Sequence, residues 1–213
     1  MKNLTSENTA LLVIDMQNIE EGKFEYSKWR SLVRSIDRLR EVATEVRMPI
    51  IHVFYSMDLQ KHTGPFQYDG NGDPFILSDS CTYPQSLSYD DRIVDACYPK
   101  PGEFLFGKNE SDAFGEGDFL SDIKDEQGGD LKNLILSGVM LQDCVIETAK
   151  GALYHGYQPV IAPEATGMTG GGEKDWLKRY GENIQKESMK TLLEKMGQTR
   201  RGIMQVLKEM APW

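Results

Sequence analysis

The sequence predicts an α/β protein with a doubly wound, Rossmann-like parallel sheet between two helical layers. Three observations predict it. Short apolar runs recur at 10–14, 50–55, 103–107, 134–138 and 159–162, each stopped by a polar or turn residue. Between them, apolar residues at helical spacing run over 27–46, 143–155 and 174–196. No two-residue hairpin signal joins neighbouring runs, so the strands return through helices and lie parallel.

Ala10-Leu11-Leu12-Val13-Ile14 is continuously apolar, as a strand buried on both faces requires. It stops at Asp15. Trp29, Leu32, Val33, Ile36, Leu39, Val42, Ala43 and Val46 mark one helical face, and Pro49 closes that segment. The β-branched and aromatic run 50–55 completes a βαβ unit. Segment 58–102 differs: it is dense in proline, holds Gly64, Gly70 and Gly72, and shows no sustained period. A loop that long usually has a task, so it reads as an excursion over the strand ends, with a short turn near 90–96. Strand 103–107 delivers Lys108, 118–126 forms a short helix, and Gly128-Gly129 turns the chain into strand 134–138. Helix 143–155 ends at Gly156 as a C-cap. Strand 159–162 and helix 174–196 follow, and the tail 199–213 fits either a strand or a helix.

At 213 residues, one domain spanning 1–213 is the simplest division. A net charge of −9 without a basic stripe excludes nucleic acid and anionic membranes as main partners. The first residues lack the apolar core of a signal peptide, and no apolar run could span a bilayer. Three cysteines are an odd number and suit a reducing, cytoplasmic setting better than a disulfide framework.

Asp15, Lys108 and Cys144 each lie just past an apolar strand. The C-terminal ends of parallel strands share one edge, where open α/β sheets place their ligands. A cysteine in the first turn of a helix gains thiolate character from the helix N-terminus. Asp15 would take and return its proton, and Lys108 would hold both groups. Amides of the turn 138–144 would receive an oxyanion. Against this, buried cysteines are mostly inert apolar residues, the reading that suits Cys81 and Cys97 unless they simply occupy loops. Aspartate after a strand is often a turn residue, and lysine a solvated charge.

The set Leu11-Leu12-Val13-Ile14-Asp15-Met16-Gln17-Asn18, then Gly107-Lys108 with Ser111 to Phe114, then Gly138-Val139-x-x-x-x-Cys144-Val145-x-x-Thr148-Ala149, resembles the isochorismatase-like cysteine hydrolase superfamily. Gly156-Tyr157-x-Pro159-Val160-Ile161 and Glu164-Ala165 extend the match over nearly the whole chain. The resemblance implies a six-stranded parallel sheet, an Asp15–Lys108–Cys144 triad and a thioester intermediate. It also implies a cis peptide at Val139–Met140 that aims the Met140 and Cys144 amides into an oxyanion hole. Assembly as a homo-oligomer, dimer or tetramer, is implied in the same way.

Departures narrow the reading. The nicotinamidase metal motif Asp-x-His is missing, the segment reading Ser56-Met57-Asp58-Leu59-Gln60-Lys61-His62. His52, His62 and His155 are scattered, so no metal or other cofactor is expected. His52 reads as a core residue, His155 as a helix-end residue, and His62 as loop or substrate contact. Siderophore-type isochorismatases, which cleave a vinyl ether, lack the cysteine, so Cys144 points to C–N hydrolysis of a small amide, carbamoyl or ureido substrate. Alternatives are a metal-assisted nicotinamidase and a non-catalytic interaction protein. Gln17, Asn18, Phe24, Phe114 and Leu141 are the pocket candidates, with Ile19 and Tyr26 nearby. Phe66, Tyr68, Phe75 and Tyr83 would make 58–102 either a lid or an interface. Glu164 stands where the family has aspartate.

Overall fold

A computed structural model describes residues 4–57, 59, 62–70, 92–121, 123–124, 130–170 and 184–196. Among these, seven strands form one sheet in the order β3-β4-β2-β1-β5-β6-β7. The strands are β1 (Thr9–Ile14), β2 (Ile50–Tyr55), β3 (Thr63–Gln67), β4 (Phe104–Lys108), β5 (Asn133–Gly138), β6 (Gln158–Thr166) and β7 (Gln185–Lys186). Every neighbouring pair is parallel except β3 and β4. The helices are α1 (Asn18–Glu21), α2 (Tyr26–Glu45), α3 (Ile146–Tyr154) and α4 (189–196).

Alternation along the central strands builds two cores. Leu11 and Val13 of β1 join Ile36 and Leu39 of α2 on one face. Ala10, Leu12 and Ile14 join Ala149 and Ala152 of α3 on the other. Successive strand residues point to opposite faces, so a strand between two helical layers must be apolar on both, as β1 is from Ala10 to Ile14. Helix α2 lays Trp29, Leu32, Ile36, Leu39, Val42 and Ala43 on the sheet. Each of the larger aliphatic side chains among these contributes about 1.5–3 kcal/mol on burial, and Ala43 less.

The sheet has one strand more than the resemblance implies. Strand β3 comes from the 58–102 excursion and pairs antiparallel with β4, with Phe66 packed against the core. The excursion's other described element is the single turn Asp95–Cys97, closed by Cys97 N–H on the Val94 carbonyl at 2.8 Å. Phe75, Tyr83 and Cys81 lie outside the described residues, as does the tail 199–213.

The expected helix 174–196 is also revised. Residues 185–186 pair with β6 and Ile184 is buried, so the segment is not helical there; a helix covers 189–196, and 174–183 lie outside the described residues. Ser188 sets that start: its Oγ accepts the Thr191 N–H at 3.2 Å, a side-chain cap that ends the extended segment. Glu164 contributes there, accepting the Met189 N–H at 3.1 Å. Of the expected helix 118–126, residues 121, 123 and 124 are helical and 125–126 lie outside the described set. The expected helix 143–155 begins instead as a widened turn, Leu141–Val145, that leads into α3. No helix among the described residues is long and apolar enough to cross a membrane.

Candidate active site

The register of the sheet decides which residues meet. Ile14 lies beside Val53 and Gly138, and Tyr55 beside Lys108. The ends of β1, β2, β4 and β5 therefore share one edge, and Asp15, Lys108 and Cys144 come together there.

Asp15 has a left-handed backbone, φ +50°, a conformation aspartate tolerates better than most residues. Its N–H donates to the Val53 carbonyl at 2.8 Å, which fixes the turn that aims the side chain. Asp15 Oδ2 lies 2.8 Å from Lys108 Nζ, and both side chains are buried. Lys108 Nζ also donates to the Glu110 carbonyl at 3.1 Å and sits 5.3 Å from the centre of the Tyr55 ring. Asp15 Oδ1 is buried and receives no hydrogen bond from nitrogen or oxygen. Cys144 lines the same cavity as Asp15, and its thiol feels the charges of both Asp15 and Lys108.

Burial, and then the charge of Asp15, push the Cys144 thiol up to about 12, with Lys108 opposing. Burial draws Lys108 down, but Asp15 and Cys144 outweigh it and hold the ammonium protonated. The resting site is thus a neutral thiol beside a carboxylate–ammonium pair. Burial and the Asp15 charge favour the neutral thiol over the helix-stabilised thiolate expected from sequence.

Gly138 shapes the turn. Its φ is +106°, and a Cβ there would overlap the Ile14 carbonyl oxygen. The Val139–Met140 peptide is cis. Val139 N–H donates to Ile14 at 2.9 Å, Leu141 N–H to Gly167 at 2.8 Å, and Gly167 N–H back to Gly138 at 2.9 Å. The Met140 carbonyl accepts the N–H groups of Asp143 at 3.0 Å and Val145 at 3.1 Å, the residues on either side of Cys144.

These groups open on a cavity of about 760 Å³. Of the expected wall residues, Gln17 and Ile19 line it, as do Val139 and Met140. Gln17 serves mainly as a brace: its Nε2 donates to the Tyr55 carbonyl at 2.9 Å and its Oε1 accepts the Tyr55 N–H at 2.8 Å. Asn18, Phe24, Phe114 and Leu141 do not line it. Asn18 donates its N–H to the Arg92 carbonyl at 2.9 Å. Phe24 packs on Trp29, Leu141 belongs to the α3-side core, and Phe114 stacks there among Phe119, Tyr157 and His155. Tyr26 is exposed beneath Arg30. Aromatic bulk went to the core, as apolar area dictates.

Sequence reasoning missed Glu20, Lys23, Tyr55, Met57, Glu110, Ser111 and Asp143, all of which line the cavity. The end of β2 falls between the ends of β1 and β4, so Tyr55 and Met57 were recoverable from strand order. Glu110 and Ser111 follow Lys108 directly. Glu20 and Lys23 depend on the short helix α1, which has no periodicity to announce it.

His52 is buried and hydrogen-bonded to Glu103, while His155 stacks on Phe114 at 5.4 Å. Neither could join a metal site with His62. Counting histidines, however, overlooked carboxylates. His62, Glu110 and Glu116 place three ligand atoms within 4.8 Å of one another. Burial holds His62 below its ordinary range, hence neutral. Its Nε2 lies 3.8 Å from Glu110 Oε1. Three such donors are the minimum for a catalytic zinc, although both glutamates are exposed.

An isochorismatase domain model matches residues 9–182. The chain belongs to the isochorismatase family. This isochorismatase-like hydrolase is 27% identical over 164 residues to the secreted isochorismatase effector Isc1 of Verticillium dahliae, covering 76% of this chain and 74% of that one. Its fold is similar to a cysteine hydrolase from Pseudomonas syringae pv. phaseolicola, with a TM-score of 0.68, 15% identity and coverage of 92% and 95%. It is also similar to N-carbamoylsarcosine amidase from Thermoplasma acidophilum, with a TM-score of 0.59, 21% identity and coverage of 85% and 96%. Those identities speak for the fold. Family membership makes the chain a hydrolase, and the bond it cleaves is a matter of the site.

Proposed function

We propose that this isochorismatase-family hydrolase cleaves a C–N bond, of amide, carbamoyl or ureido type, in a small molecule through a thioester on Cys144. The buried Asp15–Lys108 ion pair against the Cys144 thiol is the observation that carries this reading. A neutral thiol needs a base at the moment of attack, and Asp15 Oδ1 is an acceptor not already occupied by a nitrogen or oxygen donor.

The substrate carbonyl carbon meets Sγ as Asp15 takes the thiol proton. The oxyanion is received by the N–H groups of Met140 and Cys144. Asp15 then protonates the departing nitrogen, the C–N bond breaks, and an amine or ammonia leaves a thioester. Water, deprotonated by Asp15, attacks the thioester, and the proton returns to sulfur as acid or carbamate departs. Lys108 stays protonated and holds the carboxylate in place through both halves.

A cysteine supplies a nucleophile that vinyl-ether cleavage does not need, and the similar Thermoplasma protein is an N-carbamoylsarcosine amidase. The reading includes no metal, one domain, a cytoplasmic setting suited to free thiols, and a dimer or tetramer. A metal-assisted variant is the second reading, because His62, Glu110 and Glu116 gather beside the cavity. Rapid acid quench during turnover, followed by mass analysis of the Cys144 peptide, tests both. The expected result is an added acyl group that forms equally after EDTA treatment. An unmodified peptide during steady turnover contradicts the thioester, and loss of the adduct with EDTA favours the metal-assisted variant.

A further inference from the structure

The charges around the cavity are unbalanced. Among the described residues one lysine, Lys23, lines it, and it is already paired with Glu20 at 2.8 Å; Lys108, next to the lining residue Asp15, is paired with that carboxylate at 2.8 Å. Glu110 and Asp143 line the same cavity, and neither forms an ion pair with a lysine or arginine among the described residues. An entering carboxylate would add a further negative charge, with no unpaired cation among these lining residues to receive it. Partial desolvation in a concave site raises that cost, because charges interact more strongly away from bulk water.

Glu20 adds a directional feature. Its Oε1 takes Lys23, while Oε2 is buried and has no hydrogen-bond donor. The Glu20 side chain is 15% exposed, whereas that of Lys23 is 48% exposed, so water screens the ammonium more than the carboxylate. Oε2 is covered by the protein, so a cation in the cavity meets the Glu20 carboxylate through its charge rather than through a hydrogen bond to that oxygen.

We infer that the cavity selects small amides whose other end carries a cationic nitrogen group, an ammonium, amidinium or guanidinium received by Glu20, and that it disfavours amides bearing a carboxylate. Glu110 and Asp143 supply the surrounding negative potential. This selection rests on the reading of Cys144 as the nucleophile of the cavity, and names the substrate class for it.

The test does not need the substrate. Cys144 is modified with three methanethiosulfonate reagents: trimethylammonium-ethyl and sulfonatoethyl, which are of comparable size and opposite charge, and the small neutral methyl reagent. Rates are read by mass analysis of the Cys144 peptide and divided by each reagent's rate with a free thiol. The cationic reagent is expected to outpace the sulfonate by about tenfold, and the ratio to shrink as salt is added. Glu20→Gln narrows the ratio, since it removes a carboxylate and frees Lys23. Lys23→Met widens it. A sulfonate that reacts as fast as the cation, or two variants that shift the ratio the same way, overturns the charge assignment while leaving the nucleophile standing. A Cys144 untouched even by the methyl reagent overturns the nucleophile reading and this inference with it.

Discussion

Asp15 carries the sharpest consequence at the scale of single residues, because its charge acts on Cys144 in two opposed ways. It holds the resting thiol protonated, and it is the base that removes that proton when a substrate arrives. Asp15→Asn, which keeps the shape and removes the charge, is therefore expected to separate two readouts. Turnover falls by about 10²- to 10⁴-fold, the usual worth of a positioned general base. Alkylation of Cys144 by iodoacetamide in the free protein becomes faster at any given pH, since Lys108 then acts on the thiol unopposed. In the unaltered protein alkylation is slow at neutral pH and climbs through the alkaline range toward about 12. A parallel fall of turnover and alkylation in the variant would contradict this account of Asp15. Cys97, fully buried and likewise pushed up to about 12 by burial, is expected to stay unmodified and serves as the internal reference.

Among the elements, β4 brings Lys108 to the site, and a buried ionic cluster anchors the start of that strand. Glu103 Oε2 accepts Arg40 of α2 at 2.8 Å, His52 of β2 at 2.7 Å and the Lys100 N–H at 2.8 Å. Burial favours neutral His52, which then donates through Nε2 and leaves Nδ1 unprotonated, consistent with that atom having no partner. Burial alone would push Glu103 up; His52, Arg40 and the Lys100 N–H bring it down to about 2. A carboxylate with a depressed folded value contributes stability above its ordinary range, and loses it as pH falls through that range toward about 2. Urea midpoints measured across pH should show this acid loss, with a flatter acid limb in Glu103→Gln. That variant is also expected to lose about 3–5 kcal/mol at neutral pH, because Arg40 is left buried without its counter-charge. An unchanged acid limb in Glu103→Gln would assign the pH dependence elsewhere.

Across the whole molecule, the sheet's strand order brings residues about 130 positions apart to one edge, and that much was legible in the chain. Apolar runs ending at Asp15, Lys108 and Gly138 announced three strand ends, and parallel pairing did the rest. Gly138 was visible only as a turn residue, whereas its φ and its contact with the Ile14 carbonyl explain why no side chain fits there. What stayed illegible has physical causes. Strand β3 and the two-residue β7 are edge elements held by pairing more than by pattern, so periodicity does not mark them. The start of α4 is decided by one serine. The pocket wall was read only in part, because Phe24 and Phe114 pack with the core, and Glu20, Glu110, Ser111 and Asp143 reach the wall from short, aperiodic segments.

The central claim is that Cys144 performs C–N hydrolysis, and the most direct measurement is ammonia release. A panel of small amides, carbamoyl amino acids and ureides, with cationic, neutral and anionic members, is presented in parallel to the unaltered protein and to Cys144→Ala. That substitution exchanges a thiol for a hydrogen at a half-buried position and leaves only a small void, so the fold is retained. The account predicts release from at least one member by the unaltered protein and none above background by Cys144→Ala; undiminished release by Cys144→Ala would contradict it.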